Sequence, residues 1–194
     1  MRVTGGQWAN RAIAVPPGLG VRPTPDKVRQ AIFNSLGEWI ADRTVLELFA
    51  GSGALSLECL SRGATSAVCV EKSAKHAGYI RRNAHDLNTQ LDVRVQDAMV
   101  AVKQLATSSG SFEFIVADPP YGEKTSAGKR SESWAQQLLD DAVLPEILAK
   151  DGLLLVGHAK RDGVELPACW HERKTLKHGD TSVSYTHLTL PTKA

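Results

Sequence analysis

Short apolar runs rich in β formers alternate along this chain with stretches whose apolar positions fall three or four residues apart. Residues 1 to 21, with Gly5, Gly6, Pro16, Pro17, Gly18 and Gly20 around "RAIAV", predict a small hairpin or arm rather than core. In "TPDKVRQAIFNSLGEWI", Val28, Ile32, Leu36 and Ile40 form one helical stripe, with Thr24 as the expected N-cap and Pro25 at the first helical position. "TVLELFAGSGALSLECLSRGA" reads as strand, glycine turn and helix, stopped by Gly63. "SAVCVEK" predicts a second strand, "SAKHAGYIRRNAHDLN" a helix and "DVRVQDAM" a third strand, followed by a helical piece around Val102 to Ala106. "FEFIVADPPY" then predicts a strand, residues 122 to 133 a loop, and "SWAQQLLDDAVLPEILAK" one helix before Gly152 and an apolar strand from Leu153 to Val156. Strands separated by helices imply an α/β chain whose largely parallel sheet is covered on both faces.

The glycine turn decides what kind of ligand such a sheet takes. Gly51 and Gly53 follow the first strand, but a dinucleotide fingerprint needs glycine or alanine where this chain has Ser56. Acids change the picture further. Glu71 lies 20 residues after Gly51, a distance at which an acid reaches ribose hydroxyls, while Glu47, Asp97 and Asp118 also stand near strand ends. Such a row repels a pyrophosphate and suits a ligand carrying a sulfonium, an ammonium, ribose hydroxyls and an adenine NH2. S-adenosylmethionine has those groups, and the tight Gly51 to Gly53 turn lets its methionine moiety approach the backbone.

The fourth of those acids opens the segment Asp118, Pro119, Pro120 and Tyr121. Both prolines lack an N–H and hold φ near −65°, so the segment is stiff and its carbonyls are left as acceptors beside an aromatic ring. That arrangement suits a flat ligand bearing an NH2. Asp118 and the Pro119 carbonyl are expected to accept its two N–H bonds, with Tyr121 stacking on the ring.

Composition narrows the setting. The 194 residues are 42% hydrophobic with a net charge of +2, which fits one globular domain and permits a nucleic-acid partner without requiring one. Residues 1 to 30 carry Arg2, Arg11, Arg22, Lys27 and Arg29 against the single acid Asp26, and a second basic cluster runs from His171 to His178. The plain reading of the first is a solvated terminus; the functional one is a surface for phosphates. No apolar run is long enough to span a membrane, the N-terminus lacks the apolar stretch of a signal peptide, and a cytoplasmic setting is expected. Cys59, Cys69 and Cys169 show no CxxC spacing and the six histidines no ligand spacing, so neither disulfide framework nor metal is expected.

With these residues in view, the chain resembles class I S-adenosylmethionine-dependent N-methyltransferases, and closely the RsmD family of 16S ribosomal RNA guanine-N2 methyltransferases. The resemblance rests on "GGQW", "RPTPDKVRQAIFNSL", "LELFAGSGALSLECLSRGA", "VEK", "QDA", "DPPY" and "GDTSVSY". It implies a Rossmann-like sheet of seven strands, the last antiparallel, with the methyltransferase domain at 22–185 after the basic arm at 1–21. It assigns Glu47, Phe49, Gly51, Ser52, Gly53, Glu71, Lys72, Asp97, Ala98 and Asp118 to the cofactor, and Asp118, Pro119, Pro120 and Tyr121 to catalysis. Arg2, Arg11, Arg22, Thr24 and Arg29 are the expected contacts to RNA, with 16S rRNA in a small ribosomal subunit or assembly intermediate as the partner. "DPPY" is shared with DNA adenine and cytosine and with protein glutamine methyltransferases, which stay open as alternatives, as does a non-catalytic nucleic-acid-binding module. From Thr186 onward "THLTLPTKA" departs from the family pattern, and 186–194 is set apart as a tail of doubtful origin.

Overall fold

The computed structural model describes residues 1–17, 24–120, 133–178 and 181–188. Its strands are β1 (Thr44–Leu48), β2 (Ser66–Glu71), β3 (Asp92–Val95), β4 (Phe112–Ala117), β5 (Leu148–Ala159), β6 (Trp170–His178) and β7 (Thr181–Leu188). They form one seven-stranded sheet in the order β3-β2-β1-β4-β5-β7-β6, with β7 antiparallel to both of its neighbours and every other pairing parallel. The order reverses at β1 and β4, the place in open α/β sheets where strand ends splay and ligands bind.

Among the described residues, five α-helices cover the faces: α1 (Asp26–Leu36), α2 (Ala54–Ser61), α3 (Ala74–Asp86), α4 (Ala98–Thr107) and α5 (Trp134–Asp140). The expected stripe Val28, Ile32, Leu36 and Ile40 is buried, packing with α2 on Val45, Phe114, Val116 and Leu155. On the opposite face α4 and α5 bury Ala101, Val102, Leu105, Leu138 and Leu139 against Leu46, Ile115, Leu154 and Val156. Adjacent residues of the central strands therefore face different helical layers, which is why β1 and β4 read as continuous apolar runs.

Four local expectations are revised. Pro25 occupies the cap position and α1 begins at Asp26, so Thr24 is not an N-cap; its hydroxyl donates to Asp118 instead. The helix read as far as Lys150 ends at Asp140. The Asp141 carboxylate accepts from the N–H groups of Val143 (2.8 Å) and Leu144 (3.0 Å), and Pro145, which has no N–H, lies in the 3-10 turn Leu144–Ile147 that leads directly into β5. The arm, read as outside the core, contributes Val3 and Ile13 to a buried cluster with Leu57 of α2 and Leu87. Finally, the boundary expected after Tyr185 falls inside β7, whose Thr186 is buried with its hydroxyl donating to the Leu154 carbonyl.

The arm is held by more than apolar contact. An antiparallel bridge joins Arg2 to Ala12, and Gly6–Trp8 form a 3-10 turn whose residue Gly6 has φ +75°. A Cβ there would lie 1.9 Å from the Ser61 carbonyl oxygen, so only glycine allows so close an approach. The Thr4 N–H and hydroxyl each donate to Glu58 at 2.7 Å, and Arg62 donates to the same carboxylate at 2.9 Å. Glu58 is fully buried, so removing it takes the carboxylate from Arg62 and the counter-charge from beside the buried Arg29. Glu58→Ala is expected to cost roughly 3–5 kcal/mol of stability, the range for breaking a buried ion pair from one side, measured by urea unfolding. A loss below ~1 kcal/mol shows that the arm is held by apolar packing alone.

Candidate active site

β1 ends at Leu48, and the chain turns at once through Phe49, whose φ of +58° is left-handed although it carries a Cβ. Gly51 (φ +56°) and Gly53 (φ +72°) complete the turn, closed by the Gly53 N–H on the Ala50 carbonyl at 2.7 Å. A Cβ on Gly53 would sit 2.8 Å from Ile80 of α3, so this glycine allows both the backbone conformation and the packing. Phe49 lies partly buried with its ring 6.2 Å from that of Trp134. Asn83 of α3, not singled out from the sequence, ties this turn to the arm. It is buried, accepts from the Ala14 N–H (2.9 Å), and donates to the carbonyls of Ala14 (2.9 Å) and Ser52 (3.0 Å). An asparagine among helical polar residues gives no periodic signal of such a role.

Glu71, at the end of β2, accepts from the Gly51 N–H at 2.8 Å with one oxygen and from the Ser73 N–H at 2.8 Å with the other. His76 Nδ1 lies 3.6 Å from it. A carboxylate has about four acceptor positions, so capacity remains for hydroxyl donors. Asp97 caps α4 by accepting from Met99 N–H at 3.0 Å, and its other oxygen meets the exposed Lys72 Nζ at 3.3 Å. Ala98, the first residue of α4, is buried.

The expected row of four acids is a row of three with one beneath it. Glu47 is only 3% exposed; one oxygen accepts from the Ser56 N–H at 2.8 Å and faces the Cys69 thiol at 3.8 Å. It braces the first turn of α2 from inside, where a helix leaves N–H groups unpaired. Burial pushes its carboxyl up from 4.5 to about 7, against the hydrogen bonds that favour the charged form.

Asp118 follows β4, with Pro119 buried and Pro120 exposed behind it. Its carboxyl is raised by burial, and the Thr24 hydroxyl, donating to Oδ2, opposes that rise. Across the parallel β4/β5 pairing stands Gly157, where a Cβ would lie 2.4 Å from Asp118 Oδ1. Tyr121 and Arg22 lie outside the described residues. Of the expected RNA contacts, Arg2 and Arg11 are exposed, the latter donating to the Asp86 carbonyl at 2.7 Å. Arg29 is not a surface residue. Its side chain is 0% exposed, donating to the carbonyls of Thr24 and Arg2 and to Asp26, so it has no path to a nucleic acid.

A glycine turn, strand-end acids and a proline-backed carboxylate at the reversal of a 3-2-1-4-5-7-6 sheet describe the class I methyltransferase fold, and comparison with known proteins agrees. The family model described as "Conserved hypothetical protein 95" matches residues 1–187. The chain belongs to that family, the RsmD family. It is 32% identical over 169 residues to "Putative rRNA methyltransferase YlbH" of Bacillus subtilis (strain 168), covering 86% of each chain. It is 38% identical over 121 residues to "Ribosomal RNA small subunit methyltransferase D" of Escherichia coli (strain K12), covering 62% of this chain and 60% of that protein. Among solved structures, "Putative methyltransferase yhhF" from Escherichia coli superposes with a TM-score of 0.78 at 28% identity, over 98% of this chain and 99% of the other. Among the described residues, no group of histidine, cysteine, aspartate or glutamate could hold a metal ion, and no helix is long and apolar enough to cross a membrane.

Glu47 makes this RsmD-family protein's stability depend on pH. Because its folded value lies above the ordinary one, the native state keeps a proton that the unfolded chain loses as pH rises past 4.5, so stability falls between about pH 4.5 and 7 and levels off above. Glu47→Gln, which keeps the acceptor for Ser56 N–H, is expected to remove about 3 kcal/mol of that decline. Urea unfolding at pH 5 and pH 8 checks it; equal slopes in wild type and variant show that Glu47 is charged in the native state.

Proposed function

We propose that the protein is an S-adenosylmethionine-dependent methyltransferase acting on ribosomal RNA, and that its acceptor is the exocyclic N2 amine of a guanosine in 16S rRNA. The observation that carries this reading is Asp118: a partly buried carboxylate backed by two prolines, contacted by a neutral hydroxyl and given room by Gly157. Membership of the RsmD family and the names of the two curated relatives support the RNA substrate.

The residues at the strand ends fit the cofactor. Glu71 would take ribose hydroxyls, Asp97 and the start of α4 at Ala98 would face the adenine edge, and the Gly51–Gly53 turn, with Ser52 and Phe49, would line the methionine side. Glu47 supports this turn from below by holding α2, and Lys72 adjusts Asp97 from the surface. S-adenosylmethionine supplies a methyl group made electrophilic by the adjacent sulfonium.

The chain's own contribution lies in the acceptor. An aromatic amine is a weak nucleophile because its lone pair is delocalised into the ring. Two acceptors, Asp118 and the Pro119 carbonyl, hold its N–H groups, localise the lone pair and stabilise the positive charge that grows on nitrogen. Alignment supplies much of the remaining rate, since effective molarities reach about 10⁵ M or more for well-oriented groups. Burial makes Asp118 more basic than an ordinary aspartate, which suits it to receive the proton that the methylated amine sheds. Tyr121 would stack on the base. The base must be unstacked to enter, as in an RNA loop, and Arg2 and Arg11 of the arm, together with Arg22, would meet the surrounding phosphates, with Thr24 contacting the slot rather than RNA. A cytoplasmic setting goes with this substrate.

The deciding experiment follows methyl groups from labelled S-adenosylmethionine into small ribosomal subunits lacking the modification, with nucleoside analysis of the digested RNA. N2-methylguanosine at one position is the expected product; label confined to DNA or to a protein glutamine overturns the RNA reading. Asp118→Ala is expected to lower methyl transfer by at least ~10²-fold, the range for losing one preorganised stabiliser, with cofactor affinity within a few-fold. Asp118→Asn keeps one acceptor and retains measurable activity. Equal loss of cofactor binding and turnover in Asp118→Ala moves this residue from the acceptor to the cofactor.

A further inference from the structure

Arg29 is a fully buried cation, and what it touches is unusual for an ion pair. Nη1 donates to the Thr24 carbonyl at 2.9 Å, and Nη2 donates to the Arg2 carbonyl and to Asp26 Oδ1 at 3.0 Å, while Nε makes no hydrogen bond and lies 3.9 Å from Glu58 Oε2. One guanidinium therefore joins three pieces of backbone: α1, the segment before it, and the second residue of the chain. Only a planar fork of fixed donors does this; an ammonium on a flexible stem does not span the same acceptors.

The carbonyl of Thr24 matters because of what the rest of Thr24 does. Pro25 confines the preceding residue to extended backbone, and with its carbonyl also held by Arg29, Thr24 has little freedom left. Its hydroxyl occupies Asp118 Oδ2. On the other side Oδ1 lies against Gly157, where a Cβ would come within 2.4 Å of it, so the hydroxyl fixes one carboxylate oxygen and the glycine gives the other its room. The arrangement keeps the cation one residue away from the acid. Arg29 is matched by Asp26 of α1 and Glu58 of α2, His158 beyond Gly157 turns to Ser184, and burial raises the Asp118 carboxyl while the Thr24 hydroxyl opposes that rise. A direct cation on Asp118 would hold it charged and weaken it as a proton acceptor.

We propose that Arg29 is a positioning residue for Asp118, acting through Thr24, so that docking of the N-terminal arm at Arg2 and alignment of the acceptor carboxylate are one structural event. The inference rests on the assignment of Asp118 above. A purely structural Arg29 affects unfolding and leaves the folded site as it was.

Two measurements on the full chain test it with wild type, Thr24→Val, Thr24→Ser, Arg29→Lys and the double variant Arg29→Lys/Thr24→Val. In single-turnover methyl transfer to unmodified small subunits, Thr24→Val and Arg29→Lys are each expected to lower the rate by about 10- to 100-fold, the scale for misplacement of a reacting group, with KM for the subunit within ~3-fold. Thr24→Ser, which keeps the hydroxyl, recovers most of the rate lost in Thr24→Val. The double variant is no slower than the slower single variant, because both break one path. Independently of activity, carbon NMR of labelled Asp118 is expected to titrate at higher pH in Thr24→Val and in Arg29→Lys, and as wild type in Thr24→Ser. Multiplying rate losses, or an Arg29→Lys protein with a lowered Tm but an unmoved Asp118 titration, overturns the proposal. Where wild type transfers no methyl group to RNA, the functional reading fails and the titration still decides the positioning role. Where Arg29→Lys does not fold, the Thr24 pair decides by the same titration, an unmoved value in Thr24→Val overturning it.

Discussion

A guanidinium removed from water has to find acceptors for its donors, and much of the architecture on one face of the sheet follows from how Arg29 does so. Its partners are carbonyls that no helix or strand of the core satisfies, at Thr24 and Arg2, together with Asp26 and the buried Glu58. Glu58 in turn receives Thr4 and Arg62. The network therefore ties the arm, α1 and α2 into one block that packs on β1 and β4. Its net worth in free energy is small by comparison with apolar burial, since desolvation offsets much of the attraction. What it contributes is register: the arm and the segment before α1 are set where apolar contacts alone would leave them free to slide.

The second constraint is the parallel sheet. Strands buried on both faces carry few polar groups, so polar chemistry collects at their carboxyl ends, where helix N-termini also present unpaired N–H groups. Three acids use that place in different ways. Glu71 pins the glycine turn, Asp97 caps α4, and Asp118 meets a hydroxyl. Glu47 pairs with Cys69 and Val116, two residues short of the level of Glu71 and Asp118, and its carboxylate holds the first turn of α2 from within. Burial makes it a weak acid, and its hydrogen bond goes to the start of the helix that follows the glycine turn.

Several of these features were legible in the residues. The stripe on α1, the strand runs, the Gly51 and Gly53 turn and the stop imposed by Pro119 and Pro120 each follow from local rules of spacing, φ and hydrogen bonding. Other readings failed where a side chain had two uses. Thr24 has the composition of a helix cap but serves the acid 94 residues away. Asp141 ends a helix that apolar spacing alone would continue, and Arg29 looks like one more cation in a basic arm. Asn83 carried no signal, because a residue that bonds two distant backbone segments has no local pattern.

The alternation of strands and helices, the turn that needs glycine and the acid that follows β4 are set by the residue pattern, because they depend on neighbours within a few residues. The tertiary structure alone decided which acids reach the open end of the sheet, which arginine is buried and what Asp118 touches. Those outcomes depend on which distant groups desolvate one another, and desolvation is a property of the packed chain rather than of any segment of it.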